Sequence, residues 1–200
     1  MRRVVFATLG VLGLVAIGVM VALPLTQADL PPVSDLASQG ATAREALIPA
    51  AELAAEWRED AALVVASSQR YVAGAQGEET AVQDVEWTFQ FYSPSSQRTI
   101  LVSVIAGQAR RVRAGMSPYQ LDAIPDAQWR LDSDQALQLW LDGGGSHLLA
   151  QRSEMDVVMQ LRMQEAETGP RPVWIVVGLL TGGERTFTVT VDAATGEVLP

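Results

Sequence analysis

WTFQFYSPSSQRTILVSV, from Trp87 to Val104, lies without a gap over WIVVGLLTGGERTFTVTV, from Trp174 to Val191. Trp, Arg, Thr and two Val are identical in place, five of 18 positions, where ordinary residue frequencies would give roughly one match. The punctuation repeats as well. Ser93-Pro94-Ser95-Ser96 and Thr181-Gly182-Gly183 each separate two β-rich runs, where a hairpin needs residues tolerant of turn geometry. Two hairpins of equal length are expected, and a unit written twice is the pattern of an internal repeat.

The flanking sequence extends each hairpin in the same order. In the first half, Ala, Leu and Glu dominate Ala43 to Trp57, and Leu47, Ala51, Ala54 and Ala55 recur near helical spacing. A helix is expected there, kinked or restarted at Pro49. Leu63 to Ala66 reads as a strand, followed by a loop from Gln69 to Asp84 and the hairpin strands Val85–Tyr92 and Arg98–Ala106. In the second half Asp132 and Gln135 have the spacing of a capping box, so a helix is expected from Ser133 to Leu141, ended by Gly143-Gly144-Gly145. Met159, Leu161 and Met163 alternate with polar residues, the period of a half-buried strand. The strands Val173–Leu180 and Arg185–Val191 follow, and Asp192 to Glu197 forms a turn before a last short strand at Val198-Leu199. The fold class expected is α+β: two tandem repeats, each a helix packed on a small antiparallel sheet, after an N-terminal membrane segment. The boundaries are 1–28 for that segment, 29–42 for a Pro-containing linker, 43–118 for the first repeat and 119–200 for the second.

The N-terminus carries its own signal. Arg2-Arg3 precede an uncharged apolar run from Val4 to Leu25, long enough to cross a hydrocarbon core about 30 Å thick. Cationic residues before the run and none close behind it place the N-terminus in the cytoplasm and the rest of the chain outside. The expectation is a single-pass protein of the cell membrane, anchored through residues 4–25; cleavage near Thr26-Gln27-Ala28 would make it secreted instead.

Composition removes several chemistries. There is no Cys, so no disulfide, thiolate nucleophile or Cys-ligated metal exists; there is no Lys or Asn, and all 14 basic residues are Arg. Without residues 1–28 the chain keeps 12 Arg against 23 acids, a balance of −11. Such a surface disfavours nucleic acid and anionic lipid headgroups. Arg110, Arg111 and Arg113 are the local exception, and they fit either an acidic partner or an edge strand guarded against pairing.

The stretch FTVTVDAATGEVL, preceded by a Trp-bearing strand and by a helix beginning DSDQAL, resembles the PepSY and PepSY-like domains of exported bacterial proteins. In that family a helix precedes a small antiparallel sheet, and a strand ends in a turn of the type D-x-x-T-G-x-[VI]; the matching residues here are Val191 through Val198. The resemblance covers Trp129–Pro200 and extends weakly over Ala43–Arg113, where Ala106-Gly107-Gln108 lacks the Asp and Thr of that turn. Family members include propeptide segments that inhibit peptidases, and tandem units resembling a secreted β-lactamase inhibitor. The resemblance implies activities of that restraining kind.

Catalytic chemistry has thin support. His147 is the only histidine, which rules out a two-His metal site within one chain. Gly145-Ser146-His147 invites a nucleophile reading, but the second Gly of G-x-S-x-G is missing and no strand leads into it. Asp122, Asp126, Asp132 and Asp134 lack the Gly and distal Glu of a calcium loop. The function expected is therefore a non-catalytic, extracytoplasmic, membrane-tethered binding module that restrains a peptidase or other envelope protein. Its binding residues are Arg110, Arg111 and Arg113, with no cofactor, no metal and no nucleic acid. The alternative is a small hydrolase or metal-dependent enzyme using Ser146, His147 and nearby carboxylates.

Overall fold

The computed structural model describes residues 40–73, 85–151, 154–167, 169–180 and 185–200. Helix α1 spans Ala43–Trp57, and strands β1 (Ala62–Ala73), β2 (Glu86–Ser93), β3 (Arg98–Ile105) and β4 (Gln108–Met116) follow it. After an irregular connection come α2 (Ser133–Trp140), a π-type turn over Leu141–Gly145 and α3 (Ser146–Gln151). Strands β5 (Glu154–Gln164), β6 (Arg171–Leu180), β7 (Arg185–Asp192) and β8 (Val198–Leu199) complete the order.

The two quoted stretches do form antiparallel pairs, and the register matches at their Trp ends: Trp87 lies opposite Val104, and Trp174 opposite Val191, until a shift between Gly178 and Leu179 that the first pair lacks. The expected pair of separate helix-on-sheet repeats is corrected, however. All the strands among the described residues belong to one eight-stranded antiparallel sheet in the order β4-β3-β2-β1-β5-β6-β7-β8. The cause is the length of β1 and β5. They pair with each other from Val65 opposite Arg162 to Ala73 opposite Glu154, so two meanders that would each have ended in a bare edge become one surface. Gln69-Arg70 reads as the start of a loop, yet Gln69, opposite Val158, is the middle of the seam. The molecule is mostly β.

One core lies between this sheet and the helices. Along α1 the buried positions are Ala43, Ala46, Ala50 and Ala54, a stripe without bulk that lets the helix settle close to β2 and β3. Pro49 sits inside α1 without dividing it. From the sheet come Trp87, Phe89, Val102, Met159, Leu161, Trp174, Val176 and Val191, all buried, and from the second helical segment Leu137, Trp140 and Leu141. The edge of Trp87 meets Trp174 at 6.2 Å between ring centroids, and Trp129 meets Trp174 at the same distance, the arrangement that ring quadrupoles favour.

Helices α1 and α2 meet at their N-termini. The Ala43 N–H donates to Ser133 Oγ at 2.9 Å, and the Arg44 N–H donates to Asp132 Oδ1 at 3.3 Å. Arg44 also donates to the Trp129 carbonyl and lies over the Trp129 ring, 4.6 Å from its centre.

The opposite face of the sheet carries no helix among the described residues. A row crosses it through Arg110, Ser103, Thr88, Ser67, Gln160, Ile175 and Thr190, each opposite the next. It is largely polar, as expected of an antiparallel sheet with one face packed and one open.

The single-pass membrane placement is also corrected. Among the described residues no helix is long and apolar enough to cross a membrane. The longest, α1, has 15 residues and carries Arg44, Glu45 and Glu52; it would extend about 22 Å, short of a hydrocarbon core of about 30 Å. Residues 4–25, on which that expectation rested, lie outside the described residues.

Candidate protein-binding edge

Among the described residues, strand β4 forms one border of the sheet and pairs with β3 alone. It is turned back by Ala106 and Gly107, with φ of 49° and 74°, and Ile105 lies opposite Gln108. Two central residues at positive φ are what a type I′ hairpin requires, because that turn matches the twist of the strands it joins.

A bulge then decides where the arginines point. Arg110 lies opposite Ser103, Arg111 opposite Val102 and Arg113 opposite Leu101, so Val112 is the extra residue. In an unbroken strand, residues 110 and 113 would face opposite sides. The inserted residue brings Arg110 and Arg113 onto the helix-free face, opposite alternate residues of β3. Arg111 stays on the helix side, with Nη2 3.9 Å from Glu56 Oε2. Both of those side chains are largely exposed, and such a pair holds at most about 1 kcal/mol. All three arginines are exposed. On the same strand are the exposed apolar side chains of Val112, at 52%, and Met116, at 81% of full accessibility.

The residues of the enzyme reading are not assembled. Ser146 and His147 are both exposed and follow one another on α3; neighbours one position apart on a helix do not face each other. Asp142 accepts from Gln138 Nε2 at 2.8 Å. Asp132 caps α2, and Asp126 pairs with Arg44 Nη1 at 3.2 Å. Asp192 accepts from the N–H groups of Ala194 and Thr195 and from Arg171, organising the turn in which Gly196 has φ of 79°. Among the described residues, no three of His, Asp and Glu gather where they could hold a metal ion.

Two charged positions escaped the reading of the sequence. Arg70 sits on the helix-covered face opposite Val157, 6% exposed. Burial lowers its pKa from the usual range, and the charge of Asp134 opposes that shift. The signal for it was parity, since Arg70 continues the buried series Val64, Ala66 and Ser68. Asp60 ties the start of β1 to the β2–β3 turn, accepting from Ser93 Oγ at 2.7 Å and from the Ser95 N–H at 2.8 Å. Nothing in the sequence joins those two segments except that each is a turn.

Comparison with protein families, with characterised proteins and with solved structures finds no match to this chain.

Proposed function

We propose that this chain is a non-catalytic binding module that engages an acidic protein partner through Arg110, Arg111 and Arg113. The observation that carries the reading is the arrangement of β4. In a chain of net charge −9, three of its 14 basic residues stand within four positions on an exposed border strand, and a bulge aligns two of them on one face. A cationic strip on an otherwise acidic molecule steers an acidic partner to one place and repels it elsewhere. Three arginines are few for nucleic acid, whose binding grows with the number of phosphates neutralised. The consecutive placement of Ser146 and His147 on a surface helix supports a role without catalysis. A peptidase is the partner class that the PepSY-like stretch Val191–Val198 implies.

The test is affinity capture with the full chain against its own cell extract, run beside an Arg110→Glu, Arg111→Glu, Arg113→Glu variant of unchanged melting temperature. The expected result is a stoichiometric protein recovered by the wild type and lost by the variant. Equal recovery by both would exclude the arginine strip as the binding site.

A further inference from the structure

Resting on the reading above, we infer that the free edge of β4 takes the partner as an added strand: an extended segment with acidic residues at alternate positions, hydrogen-bonded along Gln108–Met116. Strand addition draws affinity from main-chain hydrogen bonds and specificity from alternate side chains, and β4 offers both. It borders the sheet with no neighbour on its outer side among the described residues. Its side-chain pattern is also spaced for one kind of visitor. Arg110 and Arg113 lie opposite Ser103 and Leu101, two residues apart on β3, a step of about 7 Å along a strand. Acidic residues at i and i+2 of an extended peptide have the same step and the same face. Val112 and Met116, exposed on the same strand, give apolar side chains of the peptide something to cover.

Charge chooses among occupants. A second copy pairing antiparallel on β4, centred on the arginines, would set Arg110, Arg111 and Arg113 against their own kind, and like charges opposite each other destabilise a strand pair. The arginines thus guard the edge against the chain itself while admitting an acidic strand, which is specificity by repulsion as well as attraction.

The experiment uses the full chain and a fluorescent, end-blocked hexapeptide with Glu at alternate positions and Thr or Val between them. Two companions accompany it: the same peptide with N-methylated backbone amides, and one with Lys in place of Glu. The acidic peptide should bind, with affinity falling as salt rises. N-methylation should weaken it by roughly tenfold, as expected from losing one or two main-chain hydrogen bonds. An Arg110→Glu, Arg113→Glu variant should reverse the preference toward the Lys peptide. If the N-methylated peptide binds as well as its parent, strand addition is wrong while the arginine strip stands. If the acidic peptide binds the wild type and that variant alike, the arginines do not select the added strand and strand addition at this edge is wrong. Absence of binding by the acidic peptide, or equal competition by a single-stranded oligonucleotide, also overturns strand addition, whereas the capture experiment judges the strip separately.

Discussion

Asp60 connects a local hydrogen-bond pattern to the pH dependence of the whole chain. The hydroxyl of Ser93, then the N–H of Ser95, donate to its carboxylate and hold its pKa down at about 2 against an ordinary 3.8. Because the folded pKa is the lower one, the contribution to stability is complete above pH 3.8 and is lost as pH falls toward 2. Asp60→Asn should therefore melt below the wild type at neutral pH, with the gap closing between pH 3.8 and 2. A gap of constant size over that range would show that the charged form of Asp60 is not what matters. Gly145 is held to glycine by the close approach of Trp140. A Cβ there would stand 2.7 Å from Cδ2 of the buried Trp140 and nearer still to its Cε3 and Cζ3, whereas the nearest neighbours of a Cβ at Gly143 would be Phe187 and Val189 at ordinary contact distances of 3.5 Å or more. Gly145→Ala should lower the urea midpoint by an amount equivalent to about 1–3 kcal/mol of overpacking, and Gly143→Ala should fall well short of that. The sequence announces Gly143-Gly144-Gly145 only as a helix end. Which of the three is needed for close approach depends on where Trp140 turns, and that is set by the sheet beneath it.

At the scale of elements, the helix starts were legible because capping is local chemistry. The Asp132 and Gln135 box forms as spaced, with the Asp132 N–H donating to Gln135 Oε1 at 3.0 Å. What the spacing does not contain is the use of the next residue. Ser133 is buried, and its hydroxyl accepts from the first N–H of the other helix, 90 positions away. A role confined to α2 would make Ser133→Ala neutral or slightly favourable, since Ala is the better helix former. Leaving the buried Ala43 N–H without its acceptor instead costs about 1–3 kcal/mol, so the urea midpoint should drop. A midpoint equal to or above the wild type would show that the Ser133–Ala43 bond does not stabilise the fold. The strands were legible where alternation was strong, as at Phe187, Val189 and Val191. They are hidden where the open face is polar: Ser67 and Gln69 on β1 alternate with the buried Ala66, Ser68 and Arg70 as regularly as any valine, but polarity on the helix-free face mimics a loop.

For the whole molecule, the difference between two repeats and one sheet is a difference in cooperativity. The duplicated hairpins were visible in the sequence because each is closed by residues near in the chain. The β1–β5 seam joins segments about 90 residues apart, and nothing local marks it. Met159 lies on that seam, fully buried between Ser68 on β1 and Val176 on β6. The core is likewise continuous across it, with Trp87 of one hairpin in edge contact with Trp174 of the other. Neither half can then unfold without exposing the border strand and half the core of its neighbour. Heating should give one transition, with equal calorimetric and van't Hoff enthalpies and coincident curves from Trp fluorescence and far-ultraviolet dichroism. Met159→Ala should destabilise by about 2–5 kcal/mol and move that single transition down as a unit. If two independent repeats were the truth, the variant would lower one of two transitions and leave the other in place, and a fragment of residues 43–118 would fold alone. With one sheet, that fragment carries β1 with its seam edge bare and Trp87 without its partner ring, and it should show neither dispersed amide resonances nor a cooperative melt.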